Sequence, residues 1–280
     1  MVTRTMRRGS ARARMTTRRA ASSPAMSWLA RAGLAARGVM YVLIGIIAIQ
    51  IALGSSRQQA DRTGAVRLVA STPFGSVVLW LLVAGFAGMT LWRLSEAVWG
   101  ANGPNGHKAT QRLASLGRAI LYAFVTWGIL KYALGIGGPS SSDKQSQDLT
   151  AAALKVHGGQ ALVAIAGVVI VIAGLDVVYR AYQRKFLRHL RFGSASPTTR
   201  RTVMLLGQIG GMARGAVFAV VGIFLIIAAK DADPRQAKGL DSALRALAHT
   251  PLGPWLLIVV AAGLVTFGVY SWCEARWRAV

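Results

Sequence analysis

The sequence predicts an all-α integral membrane protein, with six transmembrane helices forming three parallel two-helix repeats related by a pseudo-threefold axis along the membrane normal. Three observations carry this expectation. Hydrophobic residues make up 54% of the 280-residue chain and charged ones 15%, with mean hydropathy +0.45, a balance unlike that of a disordered chain or a soluble globule. Six stretches reach roughly 20 apolar residues, enough to cross a hydrocarbon core of about 30 Å at about 1.5 Å per residue. Short motifs also recur three times along the chain, which marks a repeat architecture.

The expected spans cover residues 34–53, 76–94, 113–134, 160–178, 212–229 and 252–272. Segments 77–91 and 255–265 carry no ionisable side chain on any face, whereas a helix on the surface of a soluble protein keeps one polar face. The formal net charge of +24, from 33 Lys and Arg against 9 Asp and Glu, taken alone invites a nucleic-acid reading. Sorting the charge by side removes that reading. With six spans both termini share a side, and 23 of the 33 cations fall there, against 10 in the loops that carry Asp61, Asp143, Asp148, Asp231, Asp233 and Asp241. The cationic side is expected to be cytoplasmic, in a plasma membrane.

Residues 1–26 form an expected disordered, basic cytoplasmic tail, rich in Arg and without an acid. It has an anionic-lipid reading. Met15 and Met26 are alternative starts that would remove part of it. The repeats are expected over 27–106, 107–200 and 201–280, together forming one membrane domain. Gly33 to Tyr41 parallels Gly210 to Phe218, and Gly117-Arg118-Ala119-Ile120-Leu121-Tyr122 keeps the same Arg and aromatic spacing. Thr72-Pro73-Phe74-Gly75 matches Thr250-Pro251-Leu252-Gly253, followed ten residues on by Gly85 and Gly263, while the middle copy diverges with His157-Gly158-Gly159. Between the helices of the first and third pairs, Ala65, Val66, Leu68 and Val69, and Leu244, Leu247 and Ala248, read either as a short interfacial helix or as an irregular loop.

These motifs, with Arg184-Lys185-Phe186-Leu187 after the fourth span, resemble an actinobacterial membrane family catalogued as domain of unknown function 1206, over about residues 28–280. The resemblance implies a six-span bacterial plasma-membrane protein and lends no activity.

Arg37, Arg118 and Arg214 each stand sixteen residues before the far end of their helix, about 24 Å, so each lies near the cytoplasmic boundary. Glu96 and Glu274 lie at similar depth on the returning helices, twenty-one residues after Gly75 and Gly253. Pairs Arg37 with Glu96 and Arg214 with Glu274 are therefore expected, with Tyr41 and Phe218 as cation-π faces. Two readings stay open for the three arginines: anchors that reach headgroups or clamp their own hairpin, or a convergent site for an anionic solute or headgroup. Asp176 is the one acid well within a span, read either as a proton or cation site or as a partner of Arg180 four residues on.

Other chemistry is sparse. His107, His157, His189 and His249 have no ligand spacing, so no metal is expected, and no nucleotide loop or nucleophile motif points to a cofactor or catalytic residue. The single cysteine, Cys273, sits at a helix end. Gly38, Gly45, Gly85 and Gly88 suit close helix packing, and Trp28, Trp99, Trp255 and Trp277 suit interfacial anchoring. The expected role is a non-enzymatic structural, accessory or lipid-interacting component, with membrane lipids, above all anionic headgroups, as partners, alone or in an oligomer, and without nucleic acid. The alternative is a small-solute channel or transporter with an anion-attracting site on the repeat axis.

Overall fold

The computed structural model describes residues 24–55, 58–100, 108–137, 140–193, 195–248 and 252–278. The tail up to residue 23, the start at Met15, His107, His249 and Thr250-Pro251 lie outside the described residues.

Six long helices, α1 (Pro24–Ala52), α3 (Gly75–Trp99), α4 (Ala109–Ala133), α6 (Gly159–Tyr182), α7 (Pro197–Lys230) and α9 (Gly253–Trp277), are long and apolar enough to cross a membrane. The protein is a multi-pass, all-helical membrane protein. Short helices α2 (Arg62–Ala70), α5 (Ser142–Leu154) and α8 (Leu240–Ala248) join the two members of each pair. Among the described residues no strand occurs; a lone antiparallel bridge links Leu190 and Arg278.

Several boundaries differ from expectation. Helix α1 begins at Pro24, inside the segment expected to be a disordered tail to residue 26. Helix α7 runs 34 residues because polar turns precede its apolar part: Ser196 accepts from the Thr199 N–H and Pro197 opens the first turn, a strong start signal that hydropathy does not register. Helix α5 opens with seven polar residues that carry no apolar period, but Ser141 caps it by accepting from the Lys144 N–H, and Asp143 lies in its first turn.

The two joining segments that read either as helix or as loop are helices, α2 and α8. They bury Ala65, Val66 and Val69 of α2 and Leu244 of α8 in the same apolar core as Leu34, Ile47 and Leu257, so they form a crown over one end of the bundle. Each then doubles back sharply into the next long helix. A Cβ at Gly75, Gly159 or Gly253 would collide with the carbonyl of Val69, Ala153 or Ala248 respectively, which requires glycine at all three starts.

Three aspartates hold the crown in a cyclic relay. Asp61 accepts from its own Thr63 and Gly64 N–H groups (2.8 and 3.0 Å) and from the Ser142 N–H (2.7 Å) and hydroxyl (3.0 Å). Asp143 in turn accepts from the Gly239 N–H (2.6 Å) and the Ser242 hydroxyl (2.7 Å). Asp241 closes the circle on the Ala60 N–H (2.7 Å), with Arg245 at 2.9 Å. Burial pushes the Asp241 carboxyl above its ordinary range, opposed by the Ala60 N–H and Arg245. Asp61→Asn is expected to cost about 1–3 kcal/mol, because an amide NH2 cannot accept from donors at both of its terminal atoms and a buried donor is left unmet; thermal unfolding in detergent checks this.

The long helices pack in the order α4, α3, α1, α9, α7, α6. Two kinds of interface alternate along that row. At two of the three interfaces between pairs, glycines seven residues apart bring backbones together: Gly38 against Gly268 and Gly45 against Ala261 join α1 to α9, and Gly215 against Gly174 and Gly222 against Gly167 join α7 to α6. Within a pair, Gly85 of α3 meets Ala36 and Ala32 of α1, and Gly263 of α9 meets Ala213 of α7.

The middle pair breaks this pattern. Ten residues into α6, where Gly85 and Gly263 stand in the others, the chain has Val169, 57% exposed. The α4 residue matching Ala36 and Ala213 is Gly117, whose Cβ would meet nothing within 4 Å. Helices α4 and α6 therefore form no interface comparable to those of the other pairs, and a seam separates them. They are the two edges of the row.

Candidate functional site: an arginine cluster at the basic end

At the end opposite the crown, Arg37 is buried, donating to Glu274 Oε2 at 2.5 Å and to the Ser271 hydroxyl at 3.1 Å. Glu274 also pairs with Arg278. The expected pairs within one hairpin are thus wrong: Arg37 does not pair with Glu96, and Arg214 does not pair with Glu274. Depth was matched, but Arg37 directly precedes Gly38, which seats α1 on α9, so its side chain is carried to the interface with the neighbouring pair. Sequence spacing along one helix cannot say which of two flanking helices a side chain meets.

The same logic explains the other arginines. The α3 residues matching Ser271 and Glu274 are Arg93 and Glu96. Arg93 is itself buried and takes Glu96 at 2.7 Å, to which Ser115 also donates at 3.2 Å. Arg118, which faces that position from α4, is left exposed, without a hydrogen bond or ion pair among the described residues. Its electrostatic neighbours are Arg93, Tyr122, Glu96 and Arg214. On α6 the matching residues are Val177 and Arg180, neither an acid. Arg214 instead donates to the Tyr41 hydroxyl at 3.0 Å and lies over Phe218 (4.8 Å) and Phe267 (4.9 Å). Phe218 thus serves Arg214 as expected, while Arg37 lies over Phe267 (5.1 Å) rather than Tyr41.

The buried Tyr122 lies within the fields of Arg37, Arg93 and Arg214, and Arg118 within those of Arg93, Tyr122 and Arg214. Arg93 and Arg278 join them, each over Trp92 at 4.1 and 4.7 Å. The cluster holds five guanidinium groups and two carboxylates, a net positive site with partial burial. Arg93 Nε has no partner, although it is buried, and a buried donor left unmet is costly unless something accepts from it. Sequence reasoning missed Arg93 and Arg278; the signal available was that both sit a single turn from Glu96 and Glu274.

Asp176 pairs with Arg180 at 2.7 Å, the two side chains 44% and 60% exposed. They occupy the α6 positions that match Trp92 and Glu96 of α3 and Tyr270 and Glu274 of α9, which are buried or half-buried. Their exposure follows from the seam. His157 and His189 lie far apart in sequence on exposed turns. Cys273 is half-buried beside Tyr270. Trp28, Trp99 and Trp255 are exposed, while Trp277 lies against Phe192 at 6.0 Å between ring centres.

Comparison with known proteins gives three findings. The family described as Domain of Unknown Function (DUF1206) matches residues 32–100, 113–184 and 209–278, one segment for each helix pair. The chain is similar to the "Uncharacterized protein YxxB" of Bacillus subtilis (strain 168), 26% identical over 252 residues, spanning 89% of this chain and 90% of the relative. No solved structure matches. With three matched segments that together cover most of its length, each holding one of Arg37, Arg118 and Arg214, the chain belongs to the DUF1206 family.

Proposed function

We propose that the protein is a non-enzymatic plasma-membrane component that binds the phosphate of an anionic lipid headgroup at the arginine cluster, with both termini cytoplasmic. One observation carries the reading: Arg118 is exposed and unpartnered beside Arg93 and Arg214, in a cluster with three more guanidiniums than carboxylates. A phosphate brings several acceptor oxygens to such donors, and arginine matches them in pairs. The excess of cations on this end supports its orientation toward the cytoplasm, where anionic lipids add attraction. The hydrogen-bonded crown over the far end supports binding rather than passage of a solute.

The test is thermal unfolding of the purified full chain in detergent with added phosphatidylglycerol or phosphatidylcholine. Phosphatidylglycerol is expected to raise the midpoint and phosphatidylcholine to leave it unchanged. Arg118→Ala should weaken the phosphatidylglycerol effect about tenfold in concentration, the equivalent of one charge-assisted hydrogen bond of about 1.5 kcal/mol. Equal shifts with the two lipids would sink the reading.

A further inference from the structure

We propose that the seam between α4 and α6 is a docking groove for one acyl chain of the anionic phospholipid whose phosphate Arg118 receives; this rests on the headgroup reading above and adds where the lipid body lies.

The groove is defined by comparison within the molecule. On α1 the face that closes the first hairpin is Leu29, Ala32, Gly33 and Ala36. The matching α4 face is Thr110, Leu113, Ala114 and Gly117, all exposed, and Leu121 extends it by one turn. Opposite, the α6 face that would close the pair carries Val169, Ile172, Ala173 and Asp176, apolar and exposed up to Asp176, which is half-exposed. Two apolar helix faces whose counterparts pack against each other in the other pairs are thus both open.

Charge sets the occupant. At the basic end of the groove stand Arg118 and the ion pair Asp176 to Arg180, which is neutral as a pair. Arg118 lies fifteen residues from the crown end of α4 and Asp176 seventeen from the start of α6, about 22 and 26 Å respectively, so they lie within one helical turn in depth. An apolar groove with one uncompensated cation at its membrane-boundary end complements a hydrocarbon chain attached to one anion. From Arg118 the face continues through Leu121 and Phe124 to Gly128, about 15 Å of rise. It ends in a recess that Phe124, Val125 and Gly128 share with Thr63 and Val66 of α2.

The experiment uses the full chain carrying Cys273→Ser, purified in detergent, with phosphatidylglycerol binding read by native mass spectrometry. Leu121→Cys or Ile172→Cys is labelled with a bulky maleimide, and Val259→Cys, on an exposed face of α9, is the labelled control. Label in the groove is expected to lower the bound phosphatidylglycerol several-fold, with the control unchanged and Arg118→Ala also lowering it. Loss with Arg118→Ala but not with groove label would overturn the groove while leaving the headgroup site. Binding untouched by either change would overturn both. Glycerol phosphate binding as tightly as phosphatidylglycerol would show that the anion, not the chain, supplies the affinity, and so would overturn the groove. Crosslinking of Leu121→Cys to a protein in native membranes would assign the seam to a partner helix or a second copy instead.

Discussion

Glu274→Ala is expected to be the most destabilising single charge change in this protein. Glu274 is buried between Arg37 and Arg278, and besides it Arg37 has only the neutral hydroxyls of Ser271 and Tyr122 as hydrogen-bond partners among the described residues. Removing the carboxylate leaves a buried guanidinium without a counter-charge, a change that costs about 3–5 kcal/mol in a protein interior. The thermal midpoint in detergent should fall and the folded yield with it. Arg37→Met combined with Glu274→Met should recover much of the loss, since replacing both members removes the desolvation penalty together with the attraction. A double-mutant cycle should show strong coupling between Arg37 and Glu274 and almost none between Arg37 and Glu96. The reverse pattern would restore the hairpin pairing that spacing alone suggests.

Gly215→Leu is expected to separate α6 from the rest of the bundle. A Cβ at Gly215 would stand 2.7 Å from the Gly174 carbonyl oxygen and 2.8 Å from Val178 Cγ2, so backbone, not a movable side-chain tip, blocks it. Helix α7 is the long helix against which α6 packs, and the neighbouring contact, Gly222 on Gly167, is equally close. Overpacking typically costs about 1–3 kcal/mol, and three added carbons beyond Cβ in a backbone contact lie at or above the top of that range. Gly117→Leu provides the contrast: the same change at a glycine with open space around it should leave the midpoint unchanged or slightly raised, through helix propensity. Size-exclusion profiles and thermal unfolding in detergent distinguish the two. Equal loss at both positions would mean that the seam is closed.

Much of this architecture is legible in the linear chain because a bilayer imposes so few solutions. A run such as 77–91 without a charge must be a spanning helix, since any other backbone leaves its polar groups unmet in hydrocarbon. The depth of Arg37, Arg118 and Arg214 likewise follows from counting residues at a fixed rise. The divergence of the middle copy at His157-Gly158-Gly159 was also visible, although its consequence was not. Val169 in place of a glycine is a small change in hydropathy and a decisive one in helix spacing, and only its neighbours reveal that. Helix α5 escaped notice because its stability comes from its Ser141 cap and the Asp143 contacts to another loop rather than from any apolar period.

The chain by itself determined that six helices cross, how far each arginine lies from its helix end, and that the cations crowd one side. All three depend on length and composition, which are properties of a segment. Which carboxylate each arginine meets, why Arg118 meets none, and where the bundle stays open were decided only by the tertiary structure. Those depend on which face a glycine or a valine presents to a neighbouring helix, and that is a property of two segments at once.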